Sequence, residues 1–403
     1  MLELEQALET ILTAIPAPKT ETVSLAESFR RFAAEEITAL TNLPPFDNSA
    51  VDGYAVRSGD LATASAQNPV SLQLAGRIAA GEHFHGELVA GQCIRIFTGS
   101  PVPRGANAVA MQEDTTADPN DPLEIKFLDS VKPWENIRFH GEDIKRGATV
   151  MRRGEMLGAA QLGLLAACGV AQVSVGRRPS VALLATGSEL KEIAATTRLA
   201  PGQIYESNCA ALTPLIRVAG GIANIFPIVP DHAEATRAAL SRALAECDLV
   251  VTCGGVSVGE MDFVKSAFEE LGGSLEFWKI AIKPGRPFVF GRLGEKLLFG
   301  LPGNPVSAFV TWLLLVRPVL LRWQGAAKVG LPISMGTLAE SLSNPDGRRH
   351  FIRVSMDASG LVRSAGTQGS HVLSSLAAAD GLVDVPPKTT LAPGTKVQVL
   401  HWE

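Results

Sequence analysis

Four cations and no carboxylate lie between Phe277 and Leu293 (Lys279, Lys283, Arg286 and Arg292), in a chain whose formal net charge is -5. They belong to a longer stretch, Cys253 to Ala308, that reads CGGVSVGEMDFVK, FWKIAIKPGRPFVFG and LFGLPGNPVSA. Each piece couples an apolar, strand-like run to a Gly/Pro turn. Local positive charge beside glycines that let backbone N–H groups approach a ligand suits a small, strongly anionic molecule. Lys279 and Lys283 are four residues apart, so on a single strand they share a face with Ala281, while Ile280 and Ile282 face the core. Solvated lysines on an exposed strand would show the same spacing. The flanking PGRP and GLPGNP turns favour a phosphate or oxyanion site.

Other candidates surround this corner. Gly254, Gly255 and Ser257 form a glycine turn that fits GxxxxG, but Glu260-Met261 follows where a nucleotide P-loop needs Lys and Ser/Thr. No GxGxxG follows a strand, which weighs against a dinucleotide enzyme. In GLPGNP, Pro302 shapes the turn, Asn304 is a candidate N-cap, Pro305 a first helical residue, and Ser307 falls in the first turn, where free N–H groups attract negative charge. Glu189, Asp231, Glu260 and Asp262 fall at predicted strand ends, where carboxylates can hold a divalent ion against phosphates. Each alone reads equally well as a cap or turn residue, Asp231 above all. In the first half, residues 44–55 (PPFDNSAVDGYA, with Asp52) and 135–143 (ENIRFHGED, with Arg138 and Asp143) mix charges with turn formers. Thr98-Gly99 ends another apolar run.

These residues need elements to position them. Residues 178–328 alternate strands (181–187, 222–229, 248–255, 275–282, 296–301) with helices (208–218, 232–246, 262–271, and one from 305). That rhythm predicts a mostly parallel sheet with ligands at the strands' carboxyl ends. Residues 1–43 read as helical, with a capping box at Ser24–Glu27 leading into FRRFAAEEI. Short strands separated by Gly, Pro and Asn/Asp fill 44–140. A helix over 158–168 and a strand over 171–175 follow, so the β module is an insertion into a helical linker domain formed by 1–43 and 141–176. The tail from 329 is β again.

Composition narrows the classes. A chain of 403 residues with 46% apolar and 19% charged residues is globular and multidomain. A pI near 5.9 disfavours nucleic acid as a partner. Five cysteines with no CxxC pair read as reduced thiols. The acidic N-terminus does not resemble an export signal. The apolar runs 156–175 and 312–321 look too interrupted, the second at Arg317-Pro318, to span a membrane.

Nine segments in order, PPFDNSAVDGYAVR, IFTGSPVP, NIRFHGEDI, TGSEL, GQIYESN, CGGVSVGEMDFVK, FWKIAIKPGRPFVFG, GLPGNPVSAFV and QGSHVLSSLAAADGL, together resemble the molybdopterin molybdenumtransferases, the MoeA family shared with the gephyrin E domain. The resemblance implies a multidomain α/β plus β fold: a molybdopterin-binding α/β domain (177–328), the helical linker domain, an inserted β domain (44–140) and a C-terminal β-barrel (329–403). It implies a cytoplasmic, elongated homodimer that takes adenylylated molybdopterin and molybdate, hydrolyses the adenylate with Mg2+ or another divalent cation, inserts the metal and releases AMP. By position in the matched motifs, Lys279 and Lys283 would hold phosphate or molybdate, assisted by Arg286. Glu189, Asp231 and Asp262 would serve the metal and the pyrophosphate bond. Asp52, Thr98, Arg138 and Asp143 would complete the cleft from the second subunit. Gly254, Gly255 and Ser257 would line it, Pro302 and Pro305 would shape it, and Ser370 and Ser374 would help bind molybdate. Molybdopterin adenylyltransferase and molybdoenzyme assembly factors are the implied protein partners. Two other functions are weighed: a gephyrin-type scaffold, expected to need further domains, and a molybdopterin adenylyltransferase, expected to lack the β insertion and barrel.

Overall fold

A computed structural model describes residues 1–118, 121–193, 198–255 and 263–402. Its central sheet has six strands in the order Ile222–Ile225, Ser180–Ala185, Leu249–Cys253, Lys296–Leu301, Pro287–Leu293, Ser274–Lys279. The first four are parallel. Each of the last two pairs antiparallel with its neighbour, so Ser274–Lys279 again runs parallel to the first four and Lys279 ends at the same sheet edge as Leu301. Strand Pro287–Leu293 is a sixth strand, one more than the five that the alternating pattern foretells.

Alternating residues of the central strands feed two cores. Val181, Leu183, Leu249 and Val251 pack with Leu212, Ile216, Val310 and Leu320, whereas Ala182, Leu184 and Val250 pack with Leu240, Leu244 and Phe268. Burial on both faces explains why these strands are continuous apolar runs. At the amino edge, Asp248 accepts from both Arg177 nitrogens, at 2.8 and 3.0 Å, and from the Ser180 main chain and hydroxyl, each at 2.8 Å. That anchor leaves the carboxyl edge free for loops.

Three expectations need correcting. Helix Leu4–Thr13 belongs to the α/β core and not to a linker body, because Leu4, Ala7 and Ile11, spaced along one face, sit in that core. The capping box at Ser24–Glu27 forms, but it starts only the 3-10 turn Leu25–Ser28. Arg30 has a positive φ of 59°, and Phe32 and Ala33 bridge to Met156 and Val175, so tertiary pairing overrides the helical pattern of FRRFAAEEI. The linker body is therefore largely strand: Thr20–Ser24 pairs with Gln172–Gly176 and Ile37–Thr38 with Thr149–Met151, beside helix Ala159–Ala167. Finally, Pro305–Trp323 is one continuous 19-residue helix, apolar and long enough to cross a membrane, yet 89% of its apolar window is buried inside this protein. Residues Trp312–Val316 take π geometry ahead of Pro318, whose missing N–H the wider turn accommodates.

The β module has six strands in the order Ala108–Met111, Gly53–Val56, Gln92–Ile96, Val70–Ile78, Asp121–Phe127, Thr115–Asp118. In the tail, Arg349–Met356, Leu361–Ser364, Ile333–Leu338, Lys396–His401 and Gly381–Val385 close into a five-stranded barrel, because the last strand also pairs with the first.

Candidate active site at the carboxyl edge of the sheet

Three neighbouring strands deliver three loops to one place. Residues 186–189 follow Ser180–Ala185, Gly254-Gly255 follow Leu249–Cys253, and 302–304 follow Lys296–Leu301. The Gly254 N–H donates to the Leu301 carbonyl at 3.1 Å. Gly254 has φ +96°, and a Cβ there would lie 2.6 Å from the Thr186 carbonyl oxygen, so only glycine fits. Asn208, at the start of helix Asn208–Val218, donates its amide to the Gly303 carbonyl at 2.9 Å. The Thr186 hydroxyl and the Asn208 carbonyl oxygen are buried and have no hydrogen-bond partner among the described residues. These loops therefore present polar atoms whose bonding is incomplete.

Asp231 joins this edge, though not as a helix cap. The N-cap of helix Ala233–Glu246 is His232. The Asp231 carboxylate accepts from the Ser188 N–H at 3.0 Å, and the Ser188 hydroxyl accepts from the Asp231 N–H at the same distance. This reciprocal pair holds the carboxylates of Asp231 and Glu189 on adjoining loops. Among the described residues no three His, Cys, Asp or Glu side chains form a ready cage for an ion. Two hard oxygen donors without a cage fit Mg2+, which keeps waters and takes substrate phosphates as ligands, better than they fit zinc. Asp262 and Ser257 lie outside the described residues.

Lys279 and Lys283 do not lie on one strand. Ser274–Lys279 ends at Lys279, because the N-terminal segment intervenes: the Leu2 N–H donates to the Lys279 carbonyl at 3.3 Å and the Ala281 N–H to Leu2 at 2.9 Å. Ile280 and Ile282 are buried as the alternation requires. Lys283, however, pairs with His350, since Ile282–Lys283 adds a short parallel strand to the C-terminal barrel. Lys279 lies over the Trp278 ring at 3.6 Å, an arrangement that steadies a cation without neutralising it. Lys283 donates to Asp346 at 2.6 Å. Arg286 is exposed in the turn that returns to Pro287. Behind that turn, Gly285 packs against Thr311 and the Ser307 carbonyl.

Asn304 sits at the N-cap position without a side-chain cap bond, and Pro305 is the first helical residue. The Val306 N–H donates to the Ser370 carbonyl at 3.1 Å, which brings the GSH loop of the C-terminal domain to the start of this helix. Ser374 is exposed on the short helix Leu373–Ala377. Burial pushes the Cys209 thiol up to about 12 and the Cys253 thiol well above its usual range, so neither thiol supplies a nucleophile.

This geometry coincides with matches along the whole chain. Residues 2–169 match the MoeA N-terminal region (domains I and II), 182–322 the probable molybdopterin binding domain, and 335–402 the MoeA C-terminal region (domain IV). A molybdopterin molybdenumtransferase of Haemophilus influenzae is 40% identical over 380 residues, covering 93% of this chain and 92% of its own. One from Bacillus subtilis is 33% identical over 99% of this chain and 94% of its own. A crystal structure of the MoeA protein of Pyrococcus horikoshii OT3 superposes with TM-score 0.86 at 32% identity over the full length of both chains. The chain belongs to the MoeA family.

The MoeA β module carries a second group of candidates. Asp52 accepts from the Thr98 N–H and hydroxyl, both at 2.8 Å, and these bonds hold its carboxyl below the usual range. Arg138 is exposed on Ile137–Arg138, which pairs with Asn48-Ser49. The Asp143 N–H donates to Leu43 at 3.0 Å. Thus Asp52 and Thr98 form a unit, and the hydrogen-bond partners shown for this group lie in the module or the adjoining linker.

Sequence reasoning missed several side chains that hold the loops carrying these candidates. Ser188 was visible within TGSEL but gave no sign of its bond to Asp231. Asp346, in the turn sequence Asn344-Pro345-Asp346-Gly347, carries no local sign of its bond to Lys283. Arg353, 1% exposed, donates to the Thr367 and Gly369 carbonyls at 2.8 and 3.1 Å and so braces the GSH loop. Nothing in RHFIRVSM marks it as buried; barrel closure buries it.

Proposed function

We propose that this protein is a molybdopterin molybdenumtransferase, which uses molybdate and adenylylated molybdopterin to make molybdenum cofactor and releases AMP. The observation that carries this reading is the similarity to enzymes of that name over nearly the full chain, with four motif loops converging at one sheet edge. Molybdate is a dianion and the organic substrate carries phosphates, so the site must supply fixed positive charge. Lys279, steadied over Trp278, binds phosphate at the sheet edge; Lys283 and Arg286 on the returning turn hold the oxyanion. Ser370, and Ser374 on the short helix that follows it, border that oxyanion from the C-terminal domain. Gly254 and Gly255 keep the floor free of side chains, while Pro302 and Pro305 fix the turn beneath it.

Glu189 and Asp231 would hold Mg2+, together with Asp262. The ion's chemistry is to neutralise charge developing on the pyrophosphate oxygens. Asp52 with Thr98, Arg138 and Asp143 complete the cleft from a second subunit, making the working enzyme a homodimer. A cytoplasmic location agrees with five free, buried cysteines. Molybdopterin adenylyltransferase, as supplier of substrate, and molybdoenzyme assembly factors, as recipients of product, are the partners this reading requires. Lys279→Ala, at an incompletely buried position, is expected to abolish molybdate-dependent cofactor formation while leaving the fold intact. Near-normal activity of that variant would remove Lys279 from the site.

A further inference from the structure

Among the described residues, Lys283 is the one proposed oxyanion-binding cation in an ion pair, and its partner comes from another domain. Asp346 lies in the NPDG turn of the C-terminal domain, and its carboxylate meets the Lys283 ammonium at 2.6 Å. The main chain around it is fixed: the Asp346 N–H donates to the Asn344 side chain at 3.2 Å, and the Lys388 N–H donates to the Asp346 carbonyl at 3.0 Å. Asn344 is itself buried and bonded to three carbonyls, of Arg348, Val385 and Pro386. Only the Asp346 side chain is left to move. The two side chains are 35% and 39% exposed, so the pair sits at the solvent boundary and opens without burying a bare charge.

Its surroundings are cationic. The groups that stabilise the Asp346 carboxylate are Lys283 first, then Arg348. Neighbouring Arg349 is already committed to Asp384 and Glu5 and does not compete for Asp346. His350, opposite Lys283 in the strand pairing, is 4% exposed, and neither ring nitrogen has a hydrogen-bond partner among the described residues. Asp346 thus supplies a single negative charge to a place where a small anion would be held by Lys283.

We propose that Asp346 is a built-in competitor for the oxyanion: it occupies Lys283 in the free enzyme, and a dianion displaces it on binding. This rests on the assignment of Lys283 to oxyanion binding. A monovalent carboxylate tethered at the site discriminates by charge, because a tetrahedral dianion outbids it where a monovalent ion does not. It also keeps Lys283 extended toward the C-terminal domain until substrate arrives.

The test is titration calorimetry of the full-length protein with sodium molybdate, comparing wild type, Asp346→Asn, Lys283→Ala and the double variant, with thermal melts as a folding control. Asn suits the turn and removes only the charge. Asp346→Asn is expected to tighten molybdate binding about two- to fivefold, the range set by a half-exposed ion pair. The gain should vanish in the Lys283→Ala background, and Asp346→Glu, which restores the charge, should return affinity toward wild type. Unchanged or weaker binding by Asp346→Asn, with Lys283→Ala still impaired, overturns the competitor while leaving Lys283 in the site. A gain that persists without Lys283 also overturns it. Wild-type binding by Lys283→Ala, or no saturable binding by any variant, refutes the assignment of Lys283 and this inference with it.

Discussion

Replacing Gly254 with alanine tests how closely the cleft's loops are set. At φ +96° a side chain costs on the order of 1–2 kcal/mol. The new methyl would lie 2.6 Å from the Thr186 carbonyl oxygen and 2.8 Å from its hydroxyl, and a backbone atom cannot swing away. Overpacking of this kind costs roughly 1–3 kcal/mol more. The total, about 2–5 kcal/mol, is within the ~5–15 kcal/mol stability of a domain, so the protein should fold but melt roughly 5–15 °C lower. Relief requires residues 186–189 to move away from 254–255, which carries Glu189 and Asp231 with it through the Ser188 bonds. A displacement of about 1 Å in a positioned site costs on the order of a hundredfold in rate. Gly303→Ala is the matched control: its nearest neighbour would be the Gly254 Cα at 3.8 Å, an ordinary contact, and its φ is not in the left-handed region. Differential scanning fluorimetry and AMP release should show Gly254→Ala impaired in both and Gly303→Ala unchanged in melting temperature. A Gly254→Ala protein with wild-type melting and turnover would refute the packing argument.

Burial and the charge of Lys283 hold the His350 imidazole down at about 4 against 6.5 unperturbed, so it is neutral at physiological pH. A depressed folded pKa means the unfolded chain takes up the proton first; stability should fall as pH drops from about 6.5 toward 4, by up to roughly 3 kcal/mol. His350→Phe should flatten that part of a melting-temperature profile, and an unchanged slope would count against it. Subunit mixing addresses the composite cleft: an inactive Asp52→Ala chain mixed with an inactive Lys279→Ala chain should recover partial activity in heterodimers. No recovery despite demonstrated subunit exchange would place both residues in one subunit's site.

Much of the α/β domain was legible because strands buried on both faces must be apolar throughout. Strand Lys296–Leu301 and helix Asn208–Val218 fall where the pattern puts them. What misled was pairing between distant segments. The two-residue alternation of KIAIK continues through Lys283, yet the chain leaves the sheet after Lys279 because Leu2 bonds both sides of the break. Local sequence placed Asp231 as a cap, whereas Ser188, 43 residues earlier, claims its carboxylate. FRRFAAEEI has helical composition, but Phe32 and Ala33 are taken as strand partners by segments more than a hundred residues away. Motif content nominated the candidate residues; the fold shows which of their charges are paired among the described residues.

Purified protein incubated with adenylylated molybdopterin, molybdate and Mg2+ can be followed by AMP release and by activation of a cofactor-free molybdoenzyme. AMP release and active cofactor should both depend on molybdate and be lost in Lys279→Ala. A folded wild-type protein that releases no AMP and yields no cofactor under these conditions would contradict the proposed molybdenumtransferase function.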